Sequence, residues 1–218
     1  MKVKICGNTS LEDAERAADL GAWALGLIFY ERSRRRCGID EATRIAAALR
    51  RRVELCGVFV NASLGRVTSV ADQVGLTMVQ LHGDEGPAYC AEAARRTGAR
   101  VVKAMRVRSR ADLQALDVFH TDFHLLDSRP AGPRPHPGQP FDWSLASGHR
   151  GHAPMILGGG LVPGNVAEAI STVRPFAVDV ASGVEAAPGR KDPARLEAFF
   201  AAVAGAGETP VPEAEPVS

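Results

Sequence analysis

Gly158-Gly159-Gly160 and Ala181-Ser182-Gly183 each follow a short apolar run, Met155–Leu157 and Phe176–Val180, and each leads into a helix-like segment. Two successive strands that end in glycine-bearing loops present backbone N–H groups at close range. A helix N-terminus beyond each loop adds partial positive charge. The chemistry this suits is recognition of a phosphate, in the place it occupies after the seventh and eighth strands of a (β/α)8 barrel.

Other reactive side chains stand at the ends of earlier apolar runs. The first run ends in Cys6-Gly7, and the second leads through Phe29-Tyr30 into the basic segment Arg32–Arg36. Asn61 follows the third, and Gln80-Leu81-His82-Gly83 ends the fourth. The fifth carries Lys103 and Arg106, the sixth ends in Asp127, and the eighth carries Asp179. A thiol and a carboxylate at such positions can exchange protons with a bound molecule. Each also has a plain structural reading: Cys6 as a small core residue, Asp127 as a loop cap, His82 as a turn residue bonded within its own loop. One of Arg34, Arg35 and Arg36 faces the site, and composition alone does not choose among them. The ring lacks the grouped histidines and carboxylates of a catalytic metal, and His120 and His124 straddle a strand start, so no metal is expected.

The elements that would position these residues follow from the pattern. Strands are expected at Val3–Cys6, Trp23–Phe29, Leu55–Val60, Met78–Leu81, Val101–Met105, Phe123–Leu126, Met155–Leu157 and Phe176–Val180. Apolar runs without alternation suit parallel strands covered on both faces. Helices are expected between them. Ser10-Leu-Glu-Asp13 resembles a capping box, and Gly21 ends the helix that it opens. Pro87 opens another and Gly98 closes it. Asp40–Arg51, Leu64–Val74, Ser109–Leu116, Pro163–Val173 and Pro193–Val203 supply the rest, with a short turn of helix at most at Asp142–Ala146.

Eight strands alternating with helices favour a closed α/β (β/α)8 TIM barrel over an open doubly wound sheet, since no Gly-x-Gly-x-x-Gly follows the first strand. The 218 residues, 45% hydrophobic, suit a single domain over 1–204. Arg129–Pro140, with five prolines and two glycines, reads as a lid or binding loop. Residues 205–218, rich in Pro and Glu and devoid of Lys and Arg, read as a disordered C-terminal tail. A net charge of +1 gives no field that would draw nucleic acid or an anionic membrane. Arg50–Arg52 read as a solvated helix end. The four cysteines show no Cys-x-x-Cys spacing, and Met1 leads straight into a strand pattern, so a reduced, cytoplasmic enzyme is expected.

Together these residues resemble the phosphoribosylanthranilate isomerase family. The resemblance rests on Val3-Lys-Ile-Cys-Gly-Asn-Thr9, Gly57-Val-Phe-Val-Asn61, Val79-Gln-Leu-His-Gly83, Leu125-Leu-Asp-Ser128 and Phe141-Asp-Trp-Ser144. It continues through Gly159-Gly-Leu161, Pro163, Asn165-Val166 and Arg174–Glu185, then Pro188-Gly189 and Lys191-Asp192. It implies a cofactor-free Amadori rearrangement of N-(5′-phosphoribosyl)anthranilate to 1-(2-carboxyphenylamino)-1-deoxyribulose 5-phosphate, in tryptophan biosynthesis. By that resemblance Cys6 is the general base and Asp127 the general acid. Arg35 meets the anthranilate carboxylate, His82 and Asp179 touch substrate, and Gly159, Gly160, Ser182 and Gly183 hold the phosphate. A thiol serves as base where its surroundings lower its pKa towards neutrality. The expected partner is a phosphorylated small molecule, with no nucleic acid and no membrane, bound by a monomer or homodimer.

The segment Tyr30–Arg36 and the loop Pro135–Gly138 depart from the family pattern, and Gly158 and Ala181 stand where small hydroxyl residues are common. A histidine-pathway aminoaldose isomerase would show a second glycine-rich phosphate loop after the third strand, where this chain has Val60-Asn-Ala-Ser63. A non-catalytic phosphate-binding relative would lack Cys6 or Asp127, and both are present.

Overall fold

The computed structural model describes residues 1–127, 143–149 and 151–206. Eight parallel strands close into a barrel in chain order: β1 (Lys2–Cys6), β2 (Ala24–Ile28), β3 (Glu54–Phe59), β4 (Met78–Leu81), β5 (Arg100–Arg106), β6 (Phe123–Asp127), β7 (Met155–Gly158) and β8 (Ala177–Val180). All eight expected strands are present, with ends within one or two residues. Between and after them lie α1 (Leu11–Asp19), α2 (Ile39–Leu49), α3 (Leu64–Val74), α4 (Pro87–Thr97), α5 (Arg110–Gln114), α6 (Trp143–Ser147), α7 (Val166–Val173) and α8 (Pro193–Gly205).

Local chemistry sets the helix ends. Pro87 occupies the first turn of α4, and Gly98 closes that helix in the left-handed conformation that glycine adopts without strain. The capping box expected at α1 is only half formed. Ser10 Oγ accepts from the Asp13 amide at 3.3 Å, but the Asp13 carboxylate turns away and accepts from the Lys191 amide at 2.8 Å. A reciprocal box forms instead at α5, between Ser109 and Asp112. The segment expected to begin α7 at Pro163 is a turn, because Asn165 Oδ1 takes the Val162 amide at 2.8 Å and its Nδ2 donates to Gly160 O at 3.1 Å. The helix therefore starts at Val166.

Alternate strand residues point to opposite faces. The outer face, with Leu25, Leu27, Leu55, Val79, Leu81, Leu126, Leu157 and Val178, packs against the helices in the larger core. The inner face holds a smaller core of Ala24, Cys56, Met78, Val102, Ala104, Leu125, Ile156 and Ala177. At one end it is plugged by Trp23, Phe123 and Phe176, whose ring centroids lie 5.4–5.7 Å apart. These aromatics sit at or just before the starts of β2, β6 and β8, so the opposite end, where the strands finish, is left for the site.

A 3-10 turn (Ser182–Val184) and a small antiparallel hairpin, β9 (Glu185–Ala187) with β10 (Arg190–Lys191), follow β8 and were not expected from the sequence. The expected loop Arg129–Pro140 and residues 207–218 of the expected tail lie outside the described residues. Gly205, assigned to that tail, instead ends α8, and Ala206 caps it by bonding back to Ala202 O. Among the described residues no helix is long and apolar enough to cross a membrane.

Candidate active site

Cys6 and Asp127, the last residues of β1 and β6, line one cavity of about 280 Å³ at the C-terminal end of the barrel. Arg35, His82, Asp179, Gly159, Gly160 and Ser182 line the same space. The structure thus brings together all but one of the site residues that the family resemblance implies, while Asn61, Lys103 and Arg106 of the expected ring do not line the cavity. Gly183 is not among the lining residues, and a Cβ there would collide with Leu161 O. Its missing side chain serves the contact between the loop after β8 and the loop after β7, so the two glycine loops sit against each other. Gly159 and Gly160 have φ of +86° and +71°, a conformation that favours glycine.

Below Cys6 lies a buried lysine that the sequence reading passed over. Lys4, two residues earlier on the same face, is fully buried and donates to Asp179 Oδ1 at 2.9 Å. Burial works against its charge, but Asp179, helped by Cys6 and Cys56, more than offsets this and holds the ammonium above its ordinary range. Cys6 differs from the expectation. Burial pushes its thiol up; Lys4 and Lys191 pull it down and Asp179 pushes it up, and burial prevails. The two ammonium groups therefore limit a rise that they do not cancel. Room for the sulfur comes from Gly26, its register partner on β2, where a Cβ would stand 2.6 Å from Cys6 Sγ.

Asp127 is buried and 3.6 Å from His82 Nε2. The tautomer of His82 follows from its neighbours. The Gln80 amide nitrogen, a donor, stands 3.0 Å from His82 Nδ1. That leaves the His82 proton on Nε2, facing Asp127. Lys103, expected in the ring, does not reach the cavity. It is buried and donates to Gly83 O at 2.7 Å and Glu85 Oε2 at 3.1 Å. Glu85 also accepts the Asn61 and Gly83 amides, at 2.7 and 2.8 Å, so this pair fixes the loop that carries His82.

Of the arginine run, Arg35 alone lines the cavity, while Arg34 and Arg36 are exposed. Its guanidinium lies against Glu185, with Nε 2.8 Å from Oε1 and Nη2 2.7 Å from Oε2. Glu185 is buried and also meets Lys191 Nζ at 3.2 Å. Lys191 in turn donates to Cys6 O at 2.6 Å and Ala181 O at 3.3 Å. Burial lowers its pKa, and Glu185 and Cys6 counter only part of that. Among the described residues no three of His, Cys, Asp and Glu converge as a metal ion would need.

Comparison with known proteins gives this constellation a lineage. Residues 3–202 match the family model described as N-(5′-phosphoribosyl)anthranilate (PRA) isomerase. This chain belongs to the PRA isomerase family. Among its relatives, the N-(5′-phosphoribosyl)anthranilate isomerase of Citrifermentans bemidjiense is 47% identical over 200 residues, covering 92% of this chain and 95% of that one. The Rubrobacter xylanophilus enzyme is 45% identical over 202 residues, covering 92% and 98%. The phosphoribosyl anthranilate isomerase structure from Thermotoga maritima superposes with a TM-score of 0.85 at 40% identity, covering 94% of this chain and 99% of that one. A further PRA isomerase structure, TM-score 0.82 at 40% identity and with the same coverage, is a complex with reduced 1-(o-carboxyphenylamino)-1-deoxyribulose 5-phosphate. As in its family, this chain is a (β/α)8 barrel and an enzyme.

Proposed function

We propose that this enzyme carries out the Amadori rearrangement of N-(5′-phosphoribosyl)anthranilate to 1-(2-carboxyphenylamino)-1-deoxyribulose 5-phosphate, with Asp127 as general acid and Cys6 as general base. Family membership supports the reaction. The assignment of residues is carried by one observation: Cys6 and Asp127 open onto a single cavity that the two glycine loops also line.

The geometry suggests an order of events. Phosphate rests on the backbone of Gly159 and Gly160 and on Ser182, with Gly183 keeping the two loops in contact. The aryl carboxylate meets Arg35, whose planar fork matches it. Asp127 delivers a proton to the ribose ring oxygen, the ring opens, and a C1′ iminium forms. Cys6 then removes the C2′ proton to give the enolamine, which tautomerises to the ketose. His82, with its Nε2 proton towards Asp127, stabilises that carboxylate once the proton has gone. Asp179 holds Lys4 beneath the thiol, and no covalent intermediate is formed. The substrate is a phosphorylated small molecule in the cytoplasm, handled by a monomer or homodimer without nucleic acid or membrane.

Steady-state kinetics on freshly generated substrate test this reading. Cys6→Ala and Asp127→Asn should each lower kcat by about 10²–10⁴, the usual reach of a general acid or base, while the reduced product analogue still binds. Near-native kcat in both variants would remove these residues from the chemistry. Failure of the intact gene to rescue a tryptophan auxotroph lacking this step would remove the reaction itself.

A further inference from the structure

Arg35 is held in place from two sides. Its aliphatic stem crosses Gly7, where a Cβ would come within 2.9 Å of Arg35 Cδ. Its head is gripped by Glu185 along one edge only, with Nε and Nη2 each bonded to the carboxylate. A guanidinium has five N–H donors, and this grip uses the Nε–H and one on Nη2. Among the described residues no acceptor meets Nη1. The Nη1/Nη2 edge is therefore a second complete fork, on a side chain that lines the cavity.

Glu185 cannot follow a ligand. Besides Arg35 it takes the Gly189 amide at 3.2 Å and Lys191 Nζ at 3.2 Å, on a hairpin whose Lys191 is tied to Cys6 O and Ala181 O. Lys191 makes three donations, as an ammonium does. Two cations and one carboxylate leave the cluster with one positive charge in excess, enough for one carboxylate from a ligand.

We propose that Glu185 is a positioning residue that sets the specificity of the site: by fixing one edge of Arg35 it aims the other at the substrate's aryl carboxylate, and so selects a carboxylated aryl amine over its uncharged counterpart. This inference rests on the reading of Arg35 as the receptor of that carboxylate. A mobile arginine of equal charge would attract the same group but would have to be ordered during binding, which weakens the gain.

Two probes separate the possibilities: the reduced product analogue and the same compound with hydrogen in place of the carboxylate. The readout is the ratio of their dissociation constants, which a general loosening of the fold would not move. Arg35→Ala should collapse the ratio. If it does not, Arg35 is not the carboxylate receptor and the reading beneath this inference fails. Given that collapse, Glu185→Gln should reduce the ratio by roughly tenfold, the worth of a well-aimed charge-assisted pair, and raise KM more than it lowers kcat. An unchanged ratio in Glu185→Gln, with Arg35→Ala collapsed, overturns the positioning role alone. Arg35→Lys serves as a second variant with the buried Glu185–Lys191 pair intact. It keeps the charge but cannot span both Glu185 oxygens, so it should also lose about tenfold of the ratio. Retention there shows that charge without aim suffices, and overturns the proposal.

Discussion

Gly26→Ala tests how closely the position of the Cys6 thiol is set. The added methyl would lie 2.6 Å from Cys6 Sγ and 3.0 Å from Cys6 Cα. Carbon contacts relax at about 3.5–4.0 Å, so the sulfur has to retreat by about 1 Å. A displacement of about 1 Å at a reacting group costs roughly 10²-fold in rate. Overfilling the strand contact should cost about 1–3 kcal/mol of stability besides. The assay is kcat at saturating substrate, with binding of the reduced product analogue and the thermal midpoint measured on the same variant. The expected outcome is a hundredfold lower kcat with the analogue still bound. Because the nearest clash is with the sulfur, Gly26→Ala combined with Cys6→Ala should lose less stability than the two single changes add up to. A Gly26→Ala enzyme with native kcat would refute the reasoning, since it would show that the thiol works as well from a displaced position.

Removing the ammonium beneath the thiol should move the pH dependence. Lys4→Met takes away the largest influence holding the Cys6 pKa down, so the acidic limb of the kcat/KM profile should shift to higher pH, and a limb that stays put would show that Cys6 does not titrate in it. Gly183→Ala should lower the thermal midpoint and weaken analogue binding together, because its Cβ would collide with Leu161 O and part the two glycine loops; an unchanged midpoint would show that the contact is not needed. His124 and His149 face each other at 3.1 Å, and burial lowers the pKa of both below the ordinary 6.5. The unfolded chain then takes up more protons than the folded one as pH falls below about 6.5, so stability is complete above that value and declines beneath it. Denaturant titrations of native protein and His124→Gln on either side of about pH 6.5 should show a smaller decline in the variant, in which only His149 still contributes, and an equal decline would show that His124 does not.

Much of the barrel was legible because its signals are local. Unbroken apolar runs mark strands covered on both faces, and Gly98 and Pro87 punctuate α4 through backbone geometry alone. Most of the candidate site could be placed as well, since a parallel barrel sets every strand end on one rim; Lys103 was misplaced because it points to the outer face. What escaped were groups whose meaning depends on distant partners. Lys4 within a strand looks like any surface lysine until β8 brings Asp179 to it. Glu185 and Lys191 sit in a short hairpin with no apolar run to announce it, and their burial comes from packing against Arg35 and the end of β1. Asp13 looked like half of a capping box because its spacing from Ser10 was right, and a backbone amide far along the chain claimed it instead. The direction of the Cys6 shift was out of reach for the same reason: it is a contest between burial and charges that separate segments supply.

The stitching between the two ends of the chain has a consequence for biosynthesis. Lys4 and Asp179 are 175 positions apart, Cys6 and Lys191 185, and Arg35 and Glu185 150. Closing loops of that length costs entropy that is recovered only when the final contacts form. A nascent chain that has emerged as far as α7 already carries Cys6, Arg35, His82 and Asp127. It holds none of the partners that aim Arg35 or seat Lys4. Until β8 and the hairpin arrive, Lys4 and Arg35 lack these partners, and the candidate site is complete only when the last turn of the barrel locks onto the first.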